Sequence, residues 1–319
     1  MGIQATPPET DRSIEEALRL ELALGDRAIA TTRPVLRHLL AGDNHALLGD
    51  DVVARTRGLI TDCAQALLLK QAGVAGAKAA DQYAQPRLAP LAQALLADSN
   101  LVAHAHAQVF EAALAERLRV RSGIDPVLAP VLRDAMIAGD EVLARDAMAA
   151  LTAQARFIQR QKRTSLVPDE LPADLLHRAL LLLESSATGE QDTAAAKATA
   201  AQVREGFDEG AARAGHIARF LTALGSTDAL AVEKAGLAIF ASALAIATGQ
   251  ERDTVVLSFA DGQFARLALT LRAAGLDHAA MHEQFLYLHP DIALPGAIGA
   301  LDTGRARHLL DTAQAQAAL

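Results

Sequence analysis

The sequence predicts an all-α protein: an irregular, solenoid-like array of helical hairpins or a multi-helix bundle, with no β-sheet. Three observations carry that prediction. Alanine, the strongest helix former, is the commonest of the 319 residues, while aromatic residues make up only 3%. β-Branched and aromatic residues, which strands prefer, nowhere alternate with polar ones over a strand length. One phrase also recurs three times: Pro34-Val-Leu-Arg-His-Leu-Leu-Ala-Gly-Asp-Asn44, Pro90-Leu-Ala-Gln-Ala-Leu-Leu-Ala-Asp-Ser-Asn100 and Pro130-Val-Leu-Arg-Asp-Ala-Met-Ile-Ala-Gly-Asp140. Each copy is a proline, an apolar helical turn or two, and a small polar stop able to cap the next helix. Pro34 and Pro90 lie 56 positions apart, Pro90 and Pro130 only 40. The second interval suits a two-helix repeat; the first requires an insertion, which Ala72 to Gln85 would supply. Coincident hairpins in an Ala- and Leu-rich chain explain the same phrases.

The elements follow from local signals. Ser13 and Glu16 have capping-box spacing and open a first helix. Pro34 starts a second, which ends at Gly42. Asp50 or Asp51 caps a long helix through Lys70. After the ambiguous stretch from Ala72 to Gln85, a helix from near Arg87 to Ala97 ends at Asp98-Ser99-Asn100, and the next runs to about Arg121 with Gly123 as its stop. Pro126 to Ala138 and Asp140 to about Arg163 form the third hairpin. In its second helix Ala144, Ala147, Met148, Leu151, Ala155 and Ile158 share an apolar face, with Arg145, Thr152, Gln159 and Lys162 turned away. Thr164 to Pro172 holds two prolines and reads as a linker.

Beyond it, Ala173 to Ser185 is helical, Gly189 marks a polar loop, and one long helix is expected from about Asp192 to Leu224, stopped by Gly225. Ser226 to Asp228 caps the most apolar helix, which ends at Gly249. Shorter helices follow over Glu251 to Phe259, Gly262 to Ala274 and Asp277 to Leu288, with a last one after Asp302. The expected organisation is a disordered N-terminus (1–12), an N-terminal helical-hairpin domain (13–163) and a C-terminal helical domain (173–319), or one continuous helical array.

Composition narrows the function. A net charge of −8 and a pI near 5.7 weigh against a general polyanion binder, because nucleic-acid affinity rests on phosphate neutralisation. The single cysteine, Cys63, excludes an intramolecular disulfide and suits an intracellular setting; it reads as a small core residue. Met1 to Thr10 has no apolar signal core. The longest uncharged stretch, Ala235 to Gln250, is short for a bilayer span and reads as a buried helix. A cytoplasmic protein without a membrane span is the expectation.

Several phrases together resemble an uncharacterised all-helical family of alphaproteobacteria. They are Ile124-Asp-Pro-Val-Leu-Ala-Pro130, Ala147-Met-Ala-Ala-Leu-Thr-Ala-Gln-Ala-Arg-Phe-Ile-Gln159, Leu171-Pro-Ala-Asp-Leu-Leu-His177 and Leu271-Arg-Ala-Ala-Gly-Leu276. The resemblance covers most of the chain and implies a helical fold in a bacterial cytoplasm. It implies no activity and no site.

Candidate chemistry is sparse. His278 and His282 share a helix face and are candidate metal ligands, but Leu286 stands where a zinc-protease helix has its second histidine. His289 is a third ligand only if the chain folds back. His104 and His106 point to nearly opposite sides of a helix and cannot chelate together. Asp174 and His177 have the spacing of half a di-iron motif, with no second copy; Asp174 also suits a helix N-terminus. His216, followed by Arg219, resembles a phosphoacceptor histidine on a helical bundle, although Phe220 stands where such domains place a small residue. Ala245, Gly249 and Val255 have the spacing of a DNA-binding helix-turn-helix, with Asp253 to Phe259 as its recognition helix; a glycine-capped αα-hairpin explains them equally. Arg156, Arg160, Lys162 and Arg163 form the strongest basic cluster, suited to an acidic partner surface or simply to the helix macrodipole. No phosphate loop, nucleophile elbow or dinucleotide fingerprint is present, and no catalytic residue or cofactor is expected. The expected function is a non-enzymatic α-helical scaffold or protein-interaction protein; the alternative is a regulatory accessory that binds DNA or serves a phosphorelay.

Overall fold

A computed structural model describes residues 15–27 and 50–317. Among these, every regular element is helical and no strand occurs, so the predicted fold class holds. The first copy of the recurring phrase, the 1–12 segment and the Ser13 cap lie outside the described residues.

The chain contacts divide into two compact units that do not follow chain order. Among the described residues, the first gathers 15–27, 114–134 and 225–317; the second gathers 50–113 and 135–224. The stretch expected to link two domains, 164–172, falls inside the second unit. It is packed rather than loose: Leu166, Pro168 and Leu171 are buried, and Asp62 Oδ2 accepts from Ser165 Oγ at 2.9 Å and from the Leu166 amide at 3.0 Å.

In the second unit, α2 (Asp50–Val74), α3 (Ala80–Ala97), the first part of α4 (Ser99–Ser122), α7 (Ala173–Ser186) and α8 (Glu190–Gly206) enclose one leucine- and alanine-rich core. Cys63 sits in it, and burial among apolar neighbours, with Asp62 and Asp169 nearby, pushes its thiol up to about 12. α3 begins well before the expected Arg87, and Pro90 lies inside it rather than at its start. The second and third copies of the phrase therefore do different things: Pro130 opens α5 (Pro130–Ile137), while Pro90 occupies a helix interior. Pro86 also lies inside α3, whose Ala84, Leu91, Ala92 and Leu95 are buried in the core. Arg87 stacks on Tyr83 at 3.9 Å and forks onto Asp192 of α8 at 3.0 and 2.8 Å.

The long helix expected from Asp192 to Leu224 is two helices. α8 ends at Gly206, the chain turns through Asp208, whose carboxylate accepts from the Gly210 amide, and α9 (Arg213–Leu224) restarts. Gly215 makes the turn possible: a Cβ there would lie 2.5 Å from the Gly210 carbonyl oxygen.

The predicted face of α6 (Glu141–Lys162) is also corrected. Its buried residues are Ala147, Ala150, Ala153, Gln154, Phe157 and Gln161, whereas Met148 is 51% exposed. The buried stripe includes two glutamines, so counting apolar residues alone rotated the face.

The first unit centres on α10 (Val232–Thr248), buried along most of its length. Gly236 bends it (φ 66°), bringing the backbone within contact of Ala129, and Gly249 ends it in the left-handed conformation expected of a helix stop. α11 (Arg252–Ser258) departs at 116° to α10. Phe240 stacks on Phe259 with ring centres 5.8 Å apart. α12 (Phe264–Ala273), α13 (His278–Leu288) and α14 (Thr303–Ala317) complete this core, together with α1, residues 15–27. No single described helix is long and apolar enough to cross a membrane.

Candidate interaction surface

The basic cluster lies on α6, and the opposite side of that helix explains its rigidity. On α4, His104, Gln108 and Glu111 follow i, i+4, i+7 spacing and are all buried. On α6 their counterparts are Gln154, Phe157 and Gln161. His104 Nε2 and Gln108 Nε2 are 2.7 Å apart, and Gln161 Nε2 donates to Gln108 Oε1 at 3.2 Å. Arg213, at the start of α9, forks onto Glu111 at 2.7 and 2.9 Å, donates to Gln154 Oε1 at 3.1 Å and lies 3.6 Å over the Phe157 ring. The Arg213 amide donates to Glu170, which also receives Arg160 at 2.6 Å.

A buried network of this kind is costly to leave half-made, so it fixes the rotation of α6 about its axis. No motif in the sequence marks these roles. The available signal was polar residues at helical spacing on faces expected to be apolar.

With that side held inward, residues 141, 145, 148, 152, 156, 159 and 163 point outward as one face, and all are exposed. The face carries Arg145, Met148, Thr152, Arg156, Gln159 and Arg163, with Lys162 beside it. Arg145 pairs with the neighbouring Asp146 at 3.4 Å. Arg156, Lys162 and Arg163 have no ion pair among the described residues, while Arg160 is taken by Glu170 and leaves the cluster. Glu141 is the one acid on the face. At its acidic end stand two exposed apolar residues, Val142 and, from α5, Ile137, which is 78% exposed.

The end of α6 is held in an unusual way. Thr164 adopts a left-handed conformation (φ 52°), the single non-glycine residue to do so among those described. The amides of Thr164 and Ser165 then return to the carbonyls of Gln161 and Arg160 at 3.2 and 2.9 Å, satisfying the helix end. Gly58 on α2 admits Thr164: a Cβ there would lie 2.5 Å from Thr164 Cγ2. A cleft of about 720 Å³ opens beside this point, lined in part by Val53, Arg57, Gly58, Thr61, Leu88 and Thr164. Asp62 in the cleft wall is already committed to Ser165 and Leu166.

The other candidates fare differently. His278 is half-buried against Gly299 and His282 is exposed. Among the described residues no group of three or more His, Cys, Asp or Glu side chains is placed to hold a metal ion. Asp174 and His177 are exposed on the first turns of α7. His289 is buried against Phe264 and Phe285, its Nδ1 3.5 Å from Asp261. His216 is half-buried, and its Nδ1 lies 2.7 Å from Arg219 Nη2, whose other nitrogen reaches the Gly210 carbonyl; the pair staples the turn before α9. Ala245 and Val255 are buried, and no residue of α11 is fully exposed. Arg252, the one basic residue of that helix, turns inward to Ser242 Oγ at 2.9 Å and to the Ala238 carbonyl. The expected recognition helix therefore presents no cation for phosphate or base contacts.

Compared with family profiles, with curated proteins and with solved structures, the chain matches none.

Proposed function

We propose that this protein is a helical interaction protein whose binding surface is the outer face of α6, and that its partner is a protein segment with acidic and apolar residues. The reading rests on one observation: Arg156 and Arg163, with Lys162 beside them and none of the three ion-paired among the described residues, share the exposed outer face of α6 with Met148, and the exposed apolar Val142 and Ile137 lie in sequence at its other end, in a chain of net charge −8. A partner's carboxylates would meet the cations at one end of the face, and its apolar side chains would cover Met148, Val142 and Ile137 at the other. Charge complementarity of this sort sets orientation and association rate, while the apolar end supplies affinity. The inner network supports the reading because a surface held at fixed rotation loses little entropy on binding.

The test compares proteins captured from the native host by the wild-type chain and by an R156E/K162E/R163E variant, at low and high salt. The proposal expects an acidic partner retained by the wild type, lost on charge reversal and weakened by salt. Identical sets of captured proteins would contradict it, provided circular dichroism shows the variant folded.

A further inference from the structure

A cavity of about 580 Å³ in the first unit lies where the end of α4, the start of α10 and one face of α13 meet. α13 turns Met281, Gln284, Phe285 and Leu288 into the core, which leaves Glu283, Leu286 and Tyr287 to line the cavity. At i, i+3 and i+4 spacing these three form one patch. A buried contact sets Glu283 beside α10: Gln284 Oε1 accepts from the Val232 amide at 2.8 Å, and the next residue of α10 is Glu233. Both glutamates therefore reach the cavity wall, opposite no acid-neutralising partner of their own. Arg121 and Ser122 join them from the last turn of α4, which Gly123 stops with φ 70°.

The charges around this cavity are unmatched. Glu233 Oε2 is shut off from solvent and receives no hydrogen bond among the described residues. Lys234 lies within electrostatic reach of both glutamates but spends its ammonium on Asp228 Oδ1, at 2.7 Å. Among the described residues, Glu233, Glu283 and Arg121 are in no ion pair. Two carboxylates sharing a cavity repel, and a desolvated oxygen without a donor is costly; an ammonium group relieves both. Arg121 calls for the opposite charge, a carboxylate, which a guanidinium grips with two parallel hydrogen bonds. The exposed Leu286 and the Tyr287 ring add apolar wall. Cavities of about 300–1,000 Å³ are the size that holds small molecules.

We propose that this cavity binds a free amino acid with an apolar side chain: its ammonium on Glu233 and Glu283, its carboxylate on Arg121, and its side chain against Leu286 and Tyr287. A simple amine leaves Arg121 unmatched, and a simple acid leaves both glutamates unmatched. A zwitterion satisfies all three. None of the α6 residues is involved, so this site stands or falls apart from the protein-binding face.

The test is isothermal titration calorimetry of the full-length chain with L-leucine, L-methionine and L-phenylalanine, and with the decarboxylated and deaminated analogue of each (phenethylamine and 3-phenylpropionate for phenylalanine). At least one amino acid is expected to bind with a Kd of about 1 mM or tighter, and its two analogues more than about tenfold more weakly. Arg121→Ala is expected to weaken the amino acid by more than about tenfold and to leave the amine unchanged, whereas Glu283→Gln weakens both. Glu233→Gln should abolish binding, with circular dichroism as the check on its fold. If that variant does not fold, the exposed Arg121 and Glu283 carry the test. Failure of all three amino acids to bind, an amine that binds as tightly as its parent, or amino-acid binding that Arg121→Ala leaves unchanged or tightens would overturn the proposal.

Discussion

Arg213 places both terminal nitrogens on Glu111, at 2.7 and 2.9 Å, with only 9% of its own side chain and 2% of its partner's reaching solvent. The two residues lie 102 positions apart and tie the start of α9 to the middle of α4. Taking either one away removes this fork from a charge that stays buried. Glu111→Leu or Arg213→Met alone is therefore expected to cost about 3–5 kcal/mol, whereas the double substitution costs less than either single one. Denaturant unfolding of the four proteins measures this. Additive costs would show that the pair is not coupled.

Thr164 and Gly58 form a second dependent pair. A β-branched residue in the left-handed region is strained by about 1–2 kcal/mol, and glycine at that position is not. Thr164→Gly is expected to raise stability by about 1 kcal/mol, less any gain in unfolded-chain entropy. Gly58→Ala drives a methyl group into Thr164 and is expected to lower stability. Combining it with Thr164→Gly, which removes the clashing methyl, should recover most of that loss. Thermal melts of the three variants check the order, and a Gly58→Ala loss unaffected by Thr164→Gly would contradict it.

Acid should weaken the fold in two stages. Burial holds His289 below its ordinary value near 6.5, opposed by Asp261 and reinforced by Arg117 and Arg121; burial also lowers His106. A histidine whose pKa is depressed on folding stabilises the protein above about pH 6.5, where both states are neutral. That stability drains away below it, as the unfolded chain takes up a proton the folded chain resists. At lower pH the carboxylates follow. The Arg87 fork holds Asp192 down and the Arg305 fork holds Glu15 down, so their contributions persist above the usual carboxylate range and vanish as pH falls through their folded values. Melting temperature measured from pH 8 to pH 3 should fall in both windows. His289→Gln should flatten the first and leave the second; an unchanged first window would contradict the assignment.

Most of the helices were legible because their ends are written locally. Asp98 and Asp140 cap as the sequence indicated, and Gly123, Gly225 and Gly249 stop their helices with positive φ. The failures share a different cause. The break at 207–212 depends on Gly215 meeting the Gly210 carbonyl, and α3 runs through Pro90 with Leu91, Ala92 and Leu95 buried in the core. Both are tertiary contacts with no local pattern. The phase of α6 was misread because its buried stripe is partly polar: Gln154 and Gln161 face Arg213 and Gln108, so a helix that looked greasy through Met148 turns that residue out. The basic residues of the candidate surface were visible in the sequence, except that Arg160 is spent on Glu170. The network that aims them was not, since its members come from α4, α6 and α9 and meet only after folding.

The claim that the outer face of α6 is the binding surface is tested most directly by photo-cross-linking in the native host, with a photoreactive residue at Met148 and a control at Leu181, which is comparably exposed on α7. The account predicts a discrete adduct with an acidic protein from position 148, no such adduct from position 181, and its loss when R156E/K162E/R163E is added. The same adducts from both positions, or an adduct at 148 that survives charge reversal, would contradict it.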